Sequence, residues 1–196
     1  MQERLPIDDK QAQACARGIH VFVSAKRKDT PRYPTCVTCG RTTVDWDRAR
    51  RLDPDDYPWK IQALKSEYCR YEMWTCDIDL PAVNHAKRKG REAFPNYVKK
   101  RIERALSAVH PQSDGVLRPF RDGFQTPYSG NIVYYAQHAT GNCCRKCTWR
   151  WHGIEQHREL TSVEVEYILG LILRFIDERL PQLTPAGERI PSRRRG

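Results

Sequence analysis

The chain has 196 residues and a formal charge of +10 at neutral pH. A hydrophobic fraction of 39%, a charged fraction of 30% and a mean hydropathy of −0.75 describe a polar globular chain. No apolar run approaches the roughly 18 residues that a transmembrane helix needs, so a transmembrane helix is excluded. The opening MQERLPIDDKQAQ has no apolar signal-peptide core, which predicts a cytoplasmic location. In that compartment clustered cysteines are more often ligands than disulfides. The positive balance makes DNA or RNA a candidate partner.

In chain order, Ile7 to Arg17 reads as a short helix with acidic residues near its start, stopped by Gly18. Ile19 to Val23 reads as a strand. A basic, proline-punctuated loop, Ser24 to Thr35, then delivers Cys36-Val-Thr-Cys39-Gly40. This knuckle presents two thiolates from one tight bend, half of a tetrahedral metal site. Val44 to Leu52 and Trp59 to Trp74 read as helices from their three-to-four apolar spacing. Cys69 lies in the second of these and Cys76 just past its end, offering a wider second thiol pair.

Lys87 to Arg104 holds eight basic and two acidic residues, a net of +6. The stretch is expected to be helical and broken near Gly90 and Pro95. Lys87, Arg88, Lys89, Arg91, Lys99, Lys100, Arg101 and Arg104 are its candidate phosphate contacts. His110 to Gly130 reads as a loop. Thr161 with Glu164 forms a capping-box signature, and the helix it starts runs to about Leu180. The tail from 182 onward is basic and expected to be disordered.

The densest chemistry lies between Asn131 and His152. This segment holds three of the eight cysteines and two of the six histidines. A β-type run, Ile132 to Tyr135, is expected to deliver His138, and Cys143, Cys144, Cys147 and His152 follow. Mixed thiolate and imidazole ligands favour zinc, with an iron–sulfur cluster as the alternative. Two assemblies satisfy the spacing. Cys36 and Cys39 could meet Cys144 and Cys147 at one ion. Alternatively two sites form, Cys36, Cys39, Cys69 and Cys76 at one, and His138, Cys143, Cys144, Cys147 and His152 supplying the other.

The segment DGFQTPYSGNIVYYAQHATGNCCRKCTWRWHGI, with RELTSVEVEYILGLILRFI soon after it, resembles the bacterial and phage domain-of-unknown-function family 4186. The matching positions include Gln125, Thr126, Pro127, Gln137, His138, Cys143, Cys144, Arg145, Cys147, Trp151 and His152. The resemblance spans about Tyr97 to Leu180 and implies no activity. It implies a central site built locally, which favours the two-site assembly.

The expected fold is α+β and mostly helical, a small zinc-stabilised domain with a few short strands. Residues 1–90 would form a knuckle module and 91–181 the central domain. The expected function is zinc-dependent nucleic-acid binding. One alternative is a metal-dependent nuclease similar to the HNH kind, with His138 as general base and Asn142 as its orienter. Gln137 stands where that motif has a companion residue, and no HxE precedes the CxxC as a deaminase would require. A structural or protein-interaction module is the third reading.

Overall fold

The computed structural model describes residues 9–22, 33–107, 109–111, 117–119 and 126–190. The described residues are mostly helical and include nine α-helices. Their sheet content is one two-stranded antiparallel ribbon, β1 (Val109–Pro111) with β2 (Leu117–Pro119), and two isolated bridges. The balance is therefore further toward helix than an α+β reading anticipates. Among the described residues, no helix is long and apolar enough to cross a membrane.

The first half builds α1 (Asp9–Ala16), α2 (Trp46–Ala49), α3 (Tyr57–Lys65), α4 (Tyr68–Thr75) and α5 (Leu80–Lys89). The second builds α6 (Phe94–Ile102), α7 (Ile132–Ala139), α8 (Arg145–His152) and α9 (Ser162–Arg179). The helix α9 starts as its sequence predicts. The Thr161 side chain accepts from Glu164 N, and the Glu164 carboxylate accepts from Thr161 N at 2.7 Å. Val165, Ile168, Leu169, Ile172, Phe175 and Ile176 bury against α6 and α7, and α7 packs in turn on α4.

Three expectations are corrected. The run Ile132 to Tyr135 is the first turn of α7, not a strand. Asn131 caps it, its Oδ1 accepting from Val133 N at 3.0 Å. The helix buries residues on every side, and a continuous apolar run of that kind reads equally as strand or as buried helix. The single helix expected over Trp59 to Trp74 is two helices. It breaks because His20 inserts its backbone: His20 N donates to Ser66 O at 2.6 Å, and Tyr68 N donates to His20 O at 2.7 Å. Glu67 is left extended between α3 and α4. The strand expected at Ile19 to Val23 is reduced to two bridges, His20 with Glu67 and Phe22 with Cys36, and Val23 lies outside the described residues.

Two apolar clusters result. The larger draws on residues from Tyr57 to Leu183. The smaller joins Phe22, Val44, Trp46, Ala49 and Leu64 to Trp151 of α8. In it the Trp46 and Trp151 rings lie 4.9 Å apart, and Phe22 meets Trp46 edge-on at 5.3 Å. Aromatic pairs of this kind add about 0.5–1.5 kcal/mol each beyond the area they bury. Residues 181–190 run back over the end of α5 and the turn that leads into α6. Arg91 N donates to Thr184 O, Glu92 N to Pro185 O and Glu188 N to Lys87 O. Residues 191–196 lie outside the described set.

Candidate metal centres

Two groups of ligand-bearing side chains converge among the described residues, each with its ligand atoms within 4.8 Å of one another. The first is Cys15, His20, Cys36 and Cys39; the second is Cys143, Cys144 and Cys147.

The first group comes from three short pieces. Cys15 sits in the last turn of α1, and the turn at Gly18 (φ +82°) reverses the chain so that His20 faces back to it. The Cys36–Cys39 turn closes on Gly40, whose N–H donates to Cys36 O at 2.8 Å and whose φ of +70° suits a glycine. Thr38 N–H points at Cys36 Sγ, 3.4 Å away. Cys15 Sγ lies 3.8 Å from Cys36 Sγ and 3.5 Å from His20 Nδ1, and Cys39 Sγ lies 3.8 Å from the same nitrogen. A tetrahedral ion with metal–sulfur bonds of about 2.3 Å spaces its sulfurs about 3.8 Å apart. The observed separations are those that a tetrahedral Cys3His metal shell would need.

At Cys39 and His20, though not at Cys15, the electrostatics agree with ligand duty. Burial and its crowded thiol neighbours push the Cys15 thiol up to about 11. The Arg41 backbone N–H and then its side chain hold Cys39 down at about 7, near the thiolate form. Burial lowers His20, keeping its imidazole neutral and able to bind.

The second group sits where α7 turns into α8. Gly141 (φ +72°) makes that turn beneath the Trp151 ring. Cys144 is the N-cap residue of α8, and Cys147 follows in its first turn. The side chain of Arg70, 4% exposed, reaches in from α4. Its Nη2 lies 3.1 Å from Cys147 Sγ and its Nη1 3.6 Å from Cys143 Sγ, and Nη1 also donates to His138 O at 2.8 Å. Its Nε donates to Glu67 Oε2 at 3.1 Å, and the same carboxylate accepts from Trp151 Nε1 at 2.6 Å. Hydrogen bonds from Cys143 and Cys144, with Arg70 behind them, drive Cys147 far below an ordinary thiol, while Cys143 is driven up.

The remaining sequence candidates lie elsewhere. His138 is 2% exposed, with Nε2 2.8 Å from Thr126 O and its ring stacked on Tyr128 at 4.2 Å. His152 is 1% exposed, with Nε2 2.9 Å from Thr140 O. Burial keeps both neutral. Each spends its N–H on a backbone carbonyl, and neither belongs to a converging set. Asn142 donates to Thr140 O at 2.9 Å, closing the α7–α8 turn rather than orienting His138. Cys69 lies exposed on α4, and Cys76 caps the end of that helix, its carbonyl accepting from Arg179 Nη2 at 2.6 Å. Neither joins a converging group. Cys36 and Cys39 do not share a centre with Cys144 and Cys147, so the one-ion assembly is not the one formed.

Residues that sequence reasoning passed over are Cys15 and His20 at the first centre, and Glu67 and Arg70 at the second. The order Cys15-x4-His20 ahead of Cys36-x2-Cys39 was a usable signal for the first pair. No spacing rule points to Arg70, which arrives from another helix.

Of the candidate phosphate contacts, Arg91 pairs with Asp177, and Lys99 with Glu166 at 2.5 Å. Lys89 covers the Tyr97 ring at 3.9 Å. Arg101 donates to Gln137 Oε1 at 2.8 Å and lies over Tyr134. Arg88, Lys100 and Arg104 are exposed and Lys87 is half-buried; none of these four forms an ion pair with a described residue. The basic loop Lys26 to Arg32 lies outside the described residues.

No solved structure matches this fold. The family model of a domain of unknown function, DUF4186, matches residues 60–177. That match begins well before Tyr97, takes in Glu67, Arg70 and all three cysteines of the second centre, and leaves the first centre outside. Since it covers more than half of the chain, the protein belongs to the DUF4186 family.

Proposed function

We propose that this protein is a zinc-stabilised nucleic-acid-binding protein of a reducing, cytoplasmic environment. The observation that carries the binding half is the set of cations, Lys87 and Arg88 of α5, Lys100 of α6 and Arg104 just beyond it, that form no ion pair with a described residue. A cation held beside a carboxylate has less to gain from a phosphate, so these four are the stronger contacts. Lys100 and Arg104 are four residues apart in consecutive helical turns and so lie on one side. Zinc is the ion that the Cys3His donor set of the first centre favours. Eight thiols outside any disulfide fit a reducing compartment.

The test is binding of labelled single- and double-stranded DNA and RNA by fluorescence anisotropy across a salt series. Counterion release makes log affinity fall linearly with log salt, and each lost phosphate contact reduces the slope by about one. The variant K87E/R88E/K100E/R104E is expected to lose binding with its circular dichroism unchanged. Wild-type affinity in that variant would remove this surface from the interface. Absence of binding to every probe by the wild-type, metal-loaded protein would remove the function.

A nuclease reading finds less support. It asks His138 to act as a base at an accessible position, whereas its ring is buried and its Nε2–H is engaged by Thr126 O.

A further inference from the structure

We propose that Arg70 is a positioning residue of the Cys143–Cys144–Cys147 centre, and that Glu67 ties its setting to the state of the first centre. This rests on reading both thiol clusters as metal centres.

The contacts run without a gap from one cluster to the other. His20 is a ligand of the first centre through Nδ1, and its backbone clamps the α3–α4 break from both sides, on Ser66 O and Tyr68 N. That break sets Glu67. The Glu67 carboxylate holds Arg70 Nε and Trp151 Nε1, and Arg150 Nη1 lies 3.5 Å from its other oxygen. Arg70 then spends Nη1 and Nη2 on Cys143 Sγ, Cys147 Sγ and His138 O. Trp151 carries a second link, because its ring packs on Trp46 and Phe22 of the small cluster beside the first centre.

The chemistry gives Arg70 two tasks. Its planar fork fixes two of the three sulfurs before an ion arrives. It also offsets charge, because a divalent ion with three thiolates carries an excess of about one negative charge. Each N–H···S bond draws electron density from sulfur and stabilises its lone pairs. Outer partners of this kind are commonly worth about 10–100-fold in metal affinity.

Cobalt(II) provides the readout, because sulfur-to-cobalt charge transfer appears in the near ultraviolet. Wild type, Arg70→Gln, Arg70→Lys and Glu67→Gln would be titrated with cobalt and then competed with a chelator. In Arg70→Gln we expect one of two equivalents to weaken by about 10–100-fold, with its charge-transfer band moving to longer wavelength. Arg70→Lys restores the charge but not the fork and should recover part of the affinity. Glu67→Gln keeps an acceptor for Trp151 but loses the ion pair, and should weaken the same equivalent. It should also reduce the cooperativity with which the second cobalt follows the first, while circular dichroism stays at the wild-type level. A purely structural role would move the melting temperature but not the band of the ion still bound.

Wild-type affinity and band position in Arg70→Gln would overturn the proposal. Should that variant fail to fold, unchanged affinities and cooperativity in folded Glu67→Gln would overturn it equally. A wild-type protein that takes up no cobalt would instead sink the underlying reading of two metal centres.

Discussion

The two thiol clusters are built on opposite principles. The first gathers Cys15, His20, Cys36 and Cys39 from short segments with little core of their own, flanked by a handful of apolar residues around Phe22 and Trp46. The second lies at one helix junction against the main core, and a buried arginine already stands among its sulfurs. A metal ion at the first centre would substitute for a hydrophobic core that these segments cannot supply. At the second, packing and Arg70 hold the ligands in place with or without it. Family membership follows the same division, since the DUF4186 match takes in the second centre and leaves out the first.

The sharpest way to break this contrast is to remove the first ion. Cys36→Ser should abolish metal binding there and release residues 9–22 and 33–44, at a cost on the order of 10 kcal/mol of folding free energy. Trp46 and Trp151 emission should shift to the red while much of the helical circular dichroism remains. Full loss of the helical signal would mean that the main core depends on the first centre too.

Next in size is the residue that faces both regions. Trp151 is fully buried, packs at a tilt against Trp46 and donates to Glu67. Trp151→Ala should cost about 3–5 kcal/mol and lower metal affinity at both centres. A loss confined to one centre would show that the two are independent.

His138 separates ligand from scaffold at a smaller scale. His138→Ala should lose a ring stack and a buried hydrogen bond, about 2–3 kcal/mol in chemical denaturation, and keep full metal content. A drop in bound metal would return His138 to the ligand shell.

The smallest effect concerns Lys60, buried beneath the two regions with Nζ donating to Trp151 O at 3.2 Å. Burial lowers its amine from 10.5 to about 7. The unfolded chain therefore holds a proton that the folded chain has shed between those two values. Unfolding takes up that proton, so this group's contribution to stability rises with pH across the window, and its penalty is complete below about 7. Lys60→Met should stabilise by about 1–2 kcal/mol at pH 6, a gain that fades toward pH 10. A gain independent of pH would place the charge elsewhere.

How much of this was legible in the sequence depended on whether the signal was local. The capping box at Thr161 and Glu164, the break at Gly90, and the Cys36–Cys39 knuckle are each decided within a few residues, and each is found, whereas Pro95 sits in the first turn of α6 and breaks nothing. The grouping of Cys143, Cys144 and Cys147 is local in the same way. The α7 helix was misread because burial on all sides removes the periodicity that tells helix from strand. Cys15 was passed over because its partners come from the far side of a turn and a loop. The break at Glu67 is invisible locally, since Trp59 to Trp74 has sound helical spacing; only the backbone of His20, from a distant segment, displaces it. The charges of Lys87 to Arg104 were countable, but which cations were already engaged depended on Asp177, Glu166 and Gln137 from other helices.

The central claim is that the chain holds two separate metal centres and that Cys15 belongs to the first. The most direct measurement is metal per chain by elemental analysis for the wild type beside Cys15→Ser, with the protected cysteines identified by alkylation and mass spectrometry. The expected result is close to two equivalents in the wild type and one in the variant, where Cys36 and Cys39 become reactive and Cys143, Cys144 and Cys147 stay protected. Two equivalents in Cys15→Ser, or none in the wild type, would contradict it.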